Sequence, residues 1–471
     1  MVAAEARISQ FQHIIVVFQE NRTPDNLFYA LCASNPCSTT PNNTQYNIQT
    51  SNWLDNTSPS GFTQPTPIPL ANRYPTDHSH SAFKVQCDLN TQGNPPQCRM
   101  DGAAGTAVHR GAFGYVTNTV DTKYPNGILA PYLTMATQYG WANFMFQTNQ
   151  GPSFPAHQYI FGGTSALDAA DDAAGIFLAD NPNGPGGCYA RDGETIHWIS
   201  PAGKQYIMTI NYAAGVTICM TRTTMADLLD AANIGWKYYS VKESYGDGGS
   251  SIWTAPDALE PICVPDANHL GCTGSEWANH VDLNPPDVLS DMGLNGSPCK
   301  LQEVSWVIPT GDKSDHGGAN GGPNWVGSIV NALGNSPCLN PDGSSYWDTT
   351  AVLVTWDDWG GWYDHVPPPL LPYPQGYQMG FRVPLMFVSA YTPAGYIDNL
   401  NYDFGSVLRF IENNFGLGEG ALGFADSRST TNFSTFYNLV NPPRKFVQIP
   451  TSVTGLDILN DKTPPTDPDD D

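Results

Sequence analysis

The sequence predicts an α/β fold in which a mostly parallel sheet lies between layers of helix. Four short runs are apolar, rich in β-branched residues and of strand length. Two further stretches carry helical periodicity. Strands that are apolar on both faces need cover on both sides, and strands alternating with helices supply it.

The strand runs are "HIIVVF" (13–18), "EVSWVIP" (303–309), "TAVLVTW" (350–356) and "VPLMFVSA" (383–390). The helical stretches are "TMADLLDAANI" (224–234) and "FGSVLRFIENNFGL" (404–417). In the second, Val407, Phe410, Ile411 and Phe415 share a face, and Gly416 provides a stop. Residues 29–105 and 165–300 turn to Asn, Thr, Pro, Gly and Asp, and read as long insertions in one catalytic domain spanning 1–461. The acidic tail 462–471 reads as disordered.

With 471 residues the chain can bury a large core without metal or disulfides. It nevertheless carries 10 cysteines and no Cys-x-x-Cys pair. Short disulfide-closed loops suit a secreted or periplasmic protein. Spacing does not fix connectivity; the pairing adopted is Cys32–Cys37, Cys87–Cys98 and Cys263–Cys272, then Cys188–Cys219 and Cys299–Cys338. The opening "MVAAEA" has no basic or apolar leader, and fits a signal segment already removed. A net charge of -24 argues against nucleic acid and anionic membrane as partners. No apolar run approaches the roughly 20 residues of a span, so no stable membrane anchor is expected. Oligomeric state is not legible.

Two strand runs end alike. "HIIVVFQ" meets Glu20-Asn21, and "AVLVTW" meets Asp357-Asp358, followed by Gly360-Gly361 and Asp364-His365. If both strands are parallel, these pairs meet at the carboxyl edge, where open α/β sheets bind ligands. Four oxygen donors suit a divalent ion, with Ca, Mg or Mn favoured and Zn admitted. Taken singly, each pair reads better as a solvated strand end. In "GPSFP", Ser153 precedes a helix start, where a hydroxyl faces the positive helix end; an N-cap explains it equally well. His78 and His80 follow Asp77, and Asp315-His316 lies just beyond the strand at 303–309. Asp-His neighbours can orient an imidazole or ligate a metal, although a loop histidine is more often simply solvated. His280 is a weaker candidate.

These motifs together resemble the phosphoesterase superfamily of bacterial phospholipase C (the type without a zinc cluster) and related acid phosphatases. "QENRTPD", "GPSFP", "WVIPTGDKSDH" and "WDDWGGWYDHV" match its signature segments in order, and the likeness runs over most of residues 10–446. The resemblance implies an alkaline-phosphatase-like α/β/α fold and hydrolysis of a phosphate ester through a phosphoserine. It implies Glu20, Asn21, Asp357 and Asp358 as ligands of one divalent metal, and Ser153 as nucleophile. His80 and His316 become acid–base or phosphate-binding groups, with Asp315 and His280 near the substrate. An extracytoplasmic acid phosphatase or phospholipase C-type enzyme is expected. The rivals are a true phospholipase C acting on phosphatidylcholine-like diesters, and a secreted binding module without catalysis. Departures are Asp358 for glutamate, Ala156-His157 for Asn-Arg, Gly317 for proline, and Thr23-Pro24 for Ser-Phe.

Overall fold

A computed structural model describes residues 9–72, 77–105, 109–241, 252–369 and 379–463. Within them, eight strands form one sheet: β1 (His13–Gln19), β2 (Gly140–Met145), β3 (Trp236–Tyr239), β4 (Val281–Asp282), β5 (Val304–Val307), β6 (Thr350–Trp356), β7 (Leu385–Ser389) and β8 (Tyr396–Tyr402). The spatial order is β4-β3-β5-β1-β6-β7-β2-β8. From β4 through β6 every neighbouring pair is parallel. The β7 strand pairs antiparallel with both β6 and β2, while β2 and β8 run parallel.

All seven residues of β1 and all seven of β6 are buried, the pattern of central strands covered on both faces. The main helices are α1 (His80–Cys87), α2 (Ala130–Gln138), α3 (Ser153–Gly162), α4 (Met225–Ala231), α5 (Gly322–Gly334) and α6 (Phe404–Phe415). Buried residues of α2 to α6 join the core of the sheet, whereas α1 packs in a separate small cluster with Trp359 and Phe381. The α6 helix starts from a reciprocal cap between Asp403 and Ser406 and stops at Gly416, whose φ of 68° is left-handed.

All four expected strands and both expected helices are present, with ends shifted by a few residues. The α/β class and mostly parallel sheet stand. The stretch 165–300, read as insertion, supplies the sheet strands β3 and β4. Those strands are four and two residues long, and "WKYY" is aromatic rather than β-branched, so neither stands out as a buried run. Edge strand β8, "YIDNLNY", is polar and was equally unmarked. Five disulfides join the expected partners. The three closing the shortest loops staple the loop-rich stretches 29–105 and 240–300. The acidic tail beyond residue 463 lies outside the described residues.

Candidate active site at the carboxyl edge

Strands β1 and β6 are parallel and in register, Gln19 beside Trp356. The next residues along each chain, Glu20-Asn21 and Asp357-Asp358, therefore emerge together. The backbone ties them: Asp357 N–H donates to Gln19 O at 3.0 Å, and Arg22 N–H to Asp358 O at 3.1 Å. Asn21 N–H donates to Asp357 Oδ1 at 3.0 Å. Asn21 holds a left-handed φ of 62°, a conformation asparagine tolerates better than most residues. Gly360, at φ 59°, passes so close that a Cβ there would lie 2.5 Å from Asn21 O and 2.6 Å from its Cβ. The glycine of the "WDDWGG" turn is thus required by both conformation and space.

Ser153 is the first residue of α3. Its Oγ donates to Asp358 Oδ2 at 3.3 Å, and Gly360 N–H donates to Asp358 Oδ1 at 2.6 Å. The loop before Ser153 is braced by Gln147, which accepts from Trp359 N–H at 3.1 Å and donates to Gly151 O at 2.9 Å. Asn149 Nδ2 also donates to Gly151 O, at 2.8 Å. Helix α3 thereby aims its positive end at the strand edge.

One turn along α3, His157 enters the same cluster. Its Nε2 lies 3.4 Å from Glu20 Oε1 and 3.9 Å from Asp357 Oδ2. One donor atom from each of Glu20, His157 and Asp357 falls within 4.8 Å of the others. All three side chains are fully buried, and Asn21 and Ser153 nearly so. Burial lowers the His157 pKa to about 4, disfavouring the imidazolium. Burial, then the neighbouring Asp357 charge, push Asp358 well above the usual carboxylate range. Asn21 Oδ1 and Asp357 Oδ2 find no hydrogen-bond donor among the described residues. Buried acceptors and paired acids of this kind fit a bound cation, which would satisfy them together.

The candidate histidines separate. His78 Nε2 stands 3.9 Å from Asp358 Oδ2, is partly exposed, and faces Trp359 edge-on. His80, chosen above instead, turns away: Nδ1 bonds Gln150 O at 2.8 Å, and its backbone N–H donates to Asp180. It begins α1 and lines a small cavity of about 10 Å3 beside Asn149 and Tyr159. His316 lies past β5 on the carboxyl side, half-buried, its ring 5.7 Å from Trp253.

Two expected substrate contacts do not face the site. Asp315 is fully buried, with Oδ2 accepting from Tyr132 at 2.8 Å and Trp356 at 3.0 Å. Its backbone carbonyl holds the Arg22 guanidinium, which also bonds Leu70 O and Asn26. His280 precedes β4 and so sits at the opposite, amino edge. Its ring stacks on Trp236 at 4.2 Å and Nδ1 bonds Trp236 O at 2.9 Å.

Thr23-Pro24 also gains a reason. Thr23 Oγ1 caps the turn Pro24–Leu27 by accepting from Asn26 N–H, and donates to Tyr363 O at 2.7 Å. His157 was missed as part of the cluster. The available signal was its spacing: four residues after Ser153 on a helix is the same face.

The model of the Phosphoesterase family matches residues 11–418. The chain belongs to the phosphoesterase family. It is 26% identical over 263 residues to a non-hemolytic phospholipase C of Pseudomonas aeruginosa, covering 49% of this chain and 35% of that one. To the hemolytic phospholipase C of the same organism it is 23% identical over 331 residues, 63% of this chain and 40% of the other. Against phospholipase C A of Mycobacterium tuberculosis the figures are 28% over 253 residues, 46% and 45%. The match thus spans less than half the length of each of these relatives. Among solved structures, the phosphoesterase superposes on a protein in the alkaline phosphatase superfamily from Vibrio parahaemolyticus. That superposition has a TM-score of 0.31 and 12% identity, covering 61% of this chain and 60% of that one.

Proposed function

We propose that this phosphoesterase hydrolyses phosphoric esters outside the cytoplasm, with Ser153 as nucleophile and a phosphoserine intermediate. The observation that carries the reading is Ser153 Oγ, at the head of α3, bonded to Asp358 above the buried Glu20–Asn21–Asp357 cluster. Glu20, Asn21, Asp357 and Asp358 would hold one divalent ion. When bound, that ion supplies Lewis-acid stabilisation of phosphoryl charge and lowers the hydroxyl pKa.

The chain's own groups supply the rest. Asp358 accepts the Ser153 hydroxyl hydrogen bond and so fixes the direction of the Oγ lone pairs. Gly360 N–H, in turn, fixes the carboxylate. As Oγ attacks phosphorus its proton passes to Asp358, the group it already bonds, while the bond to the ester oxygen breaks and the aligned amides of α3 stabilise negative charge beside Ser153. His78, at the partly exposed rim, is placed to protonate the leaving oxygen and then to take a proton from the water that cleaves the phosphoserine. This replaces His80 in that role; His316 remains a candidate phosphate contact on the same edge. Buried ligands and a partly exposed His78 admit the phosphoryl group while shielding the reacting centre from bulk water.

Hydrolysis of p-nitrophenyl phosphate and of p-nitrophenyl phosphorylcholine tests the reading. Turnover of the first marks a phosphomonoesterase, of the second a phospholipase C-like diesterase. Cleavage of neither, with divalent metal supplied, would contradict hydrolysis and favour a binding module. A secreted location fits the five disulfides, and no helix among the described residues is long and apolar enough to cross a membrane.

A further inference from the structure

We propose that His157 is a nitrogen ligand of the divalent ion, so that the centre is a mixed imidazole–carboxylate site rather than an all-oxygen one. The inference rests on the reading of Glu20, Asn21 and Asp357 as metal-binding.

The His157 ring is fully buried, and neither ring nitrogen makes a hydrogen bond among the described residues. Leaving both buried and unsatisfied is unfavourable, so a partner is expected. Nε2 faces Glu20 Oε1 at 3.4 Å and Asp357 Oδ2 at 3.9 Å. Charge-assisted N–H···O bonds close to roughly 2.7–2.9 Å, so neither contact is a formed ion-pair hydrogen bond. Donor atoms around a metal stand farther apart. Bonds of about 2.0–2.2 Å at tetrahedral or octahedral angles put neighbouring ligands roughly 3–3.6 Å apart. The observed spacing is near that range.

The ring is also held in place. It sits one helical turn beyond Ser153 and meets the Phe18 ring edge-on at 6.0 Å. Phe18 belongs to β1, two residues before Glu20. Helix α3 therefore delivers both Ser153 and an imidazole to the strand-end carboxylates, and β1 packs the imidazole from beneath.

An imidazole changes which ion is preferred. Carboxylate and carbonyl oxygen suit Mg, Ca and Mn, whereas imidazole suits Zn, Fe and other transition ions. The all-oxygen expectation favouring Ca, Mg or Mn thereby shifts towards the admitted alternative, a borderline transition ion such as Zn.

The test uses the full chain loaded with Mn2+ and pulsed electron paramagnetic resonance. The expected result is nitrogen-14 coupling of a directly bound imidazole, lost in His157→Gln and retained in His78→Gln. In competition against a metal-binding dye, His157→Gln should lower Zn2+ affinity at least about tenfold and Mg2+ affinity far less. Bound Mn2+ without nitrogen coupling in the parent protein overturns the proposal, as does coupling that survives His157→Gln, or failure to bind either Mn2+ or Zn2+. The parent measurement decides even where the variant does not fold. Turnover of a phosphate ester without nitrogen coupling sinks this inference and leaves the hydrolase reading standing. Coupling without turnover of any phosphate ester does the reverse.

Discussion

Asn21 and Asp357 are 336 positions apart, yet the Asn21 amide donates to Asp357 Oδ1 at 3.0 Å in a fully buried contact. That bond joins the ends of two parallel strands and holds the Glu20-Asn21 and Asp357-Asp358 pairs against each other. Gly360 closes over it, leaving no space for a side chain.

Gly360→Ala should therefore damage the site before it damages the core. Strain at a positive φ costs on the order of 1–3 kcal/mol, and the clash with Asn21 adds to it. The expected outcome is a lowered melting temperature with loss of bound metal, measured by thermal denaturation and elemental analysis. Normal metal stoichiometry in the variant would show that the turn tolerates displacement.

His78 and His80 should give unlike phenotypes despite being two residues apart. His78→Gln is expected to lower kcat by about a hundredfold to ten-thousandfold, the usual range for a general acid–base group. His80→Gln removes a bond to Gln150, in the loop before Ser153, and should act mainly on thermal stability. Steady-state kinetics of both variants decide between them, and a larger kcat loss for His80→Gln would reverse the assignment.

The "YDH" part of the signature should prove structural. Asp364 takes a forked bond from Arg382, at 3.0 and 2.9 Å, with both side chains buried. His365 bonds Asp25 at 2.7 Å behind it. Removing the Asp364 charge leaves Arg382 only a longer contact, 3.5 Å, to Asp25, so the cost approaches the roughly 3–5 kcal/mol of a broken buried pair. Asp364→Asn should lower the denaturant midpoint accordingly, while kcat per folded molecule changes little.

Glu412 makes stability depend on pH. Burial, then the Asp426 charge, push its pKa up to about 8, while the unfolded chain keeps a value near 4.5. A raised folded-state pKa means stability that is fully present below 4.5 and is lost as pH rises through about 8. Asp426 is committed to three backbone N–H groups, of Leu422, Gly423 and Phe424, so it cannot move aside. Melting temperature should fall between pH 5 and pH 8.5, by an amount that Glu412→Gln reduces, since its amide can donate where the protonated acid did. An equal fall in the variant would place the effect elsewhere.

Much of this was legible in the sequence because local signals agreed with the tertiary result. Strands β1 and β6 are mostly apolar and buried along their whole length, and their acidic ends follow directly, so the edge and its acids could be read off together. His157 was not legible as a site residue. A histidine among "FPAHQYIF" looks like core, and only the register of α3 on β1 shows what it faces. His280 and Asp315 failed for the complementary reason: residue type and a neighbouring strand do not say which edge or side a group takes. Strands β3, β4 and β8 are short or polar and owe their conformation to sheet pairing, which no local window contains.

The central claim is that Ser153 becomes phosphorylated during turnover. The direct measurement is acid quenching of the enzyme during steady-state hydrolysis of p-nitrophenyl phosphate, followed by peptide mass spectrometry. The account predicts a phosphate on the peptide holding Ser153, no such adduct in Ser153→Ala, and a loss of turnover of at least about a thousandfold in that variant with metal still bound. Ser153→Ala turning over at the parent's rate, or a phosphate carried by a different residue, would contradict it.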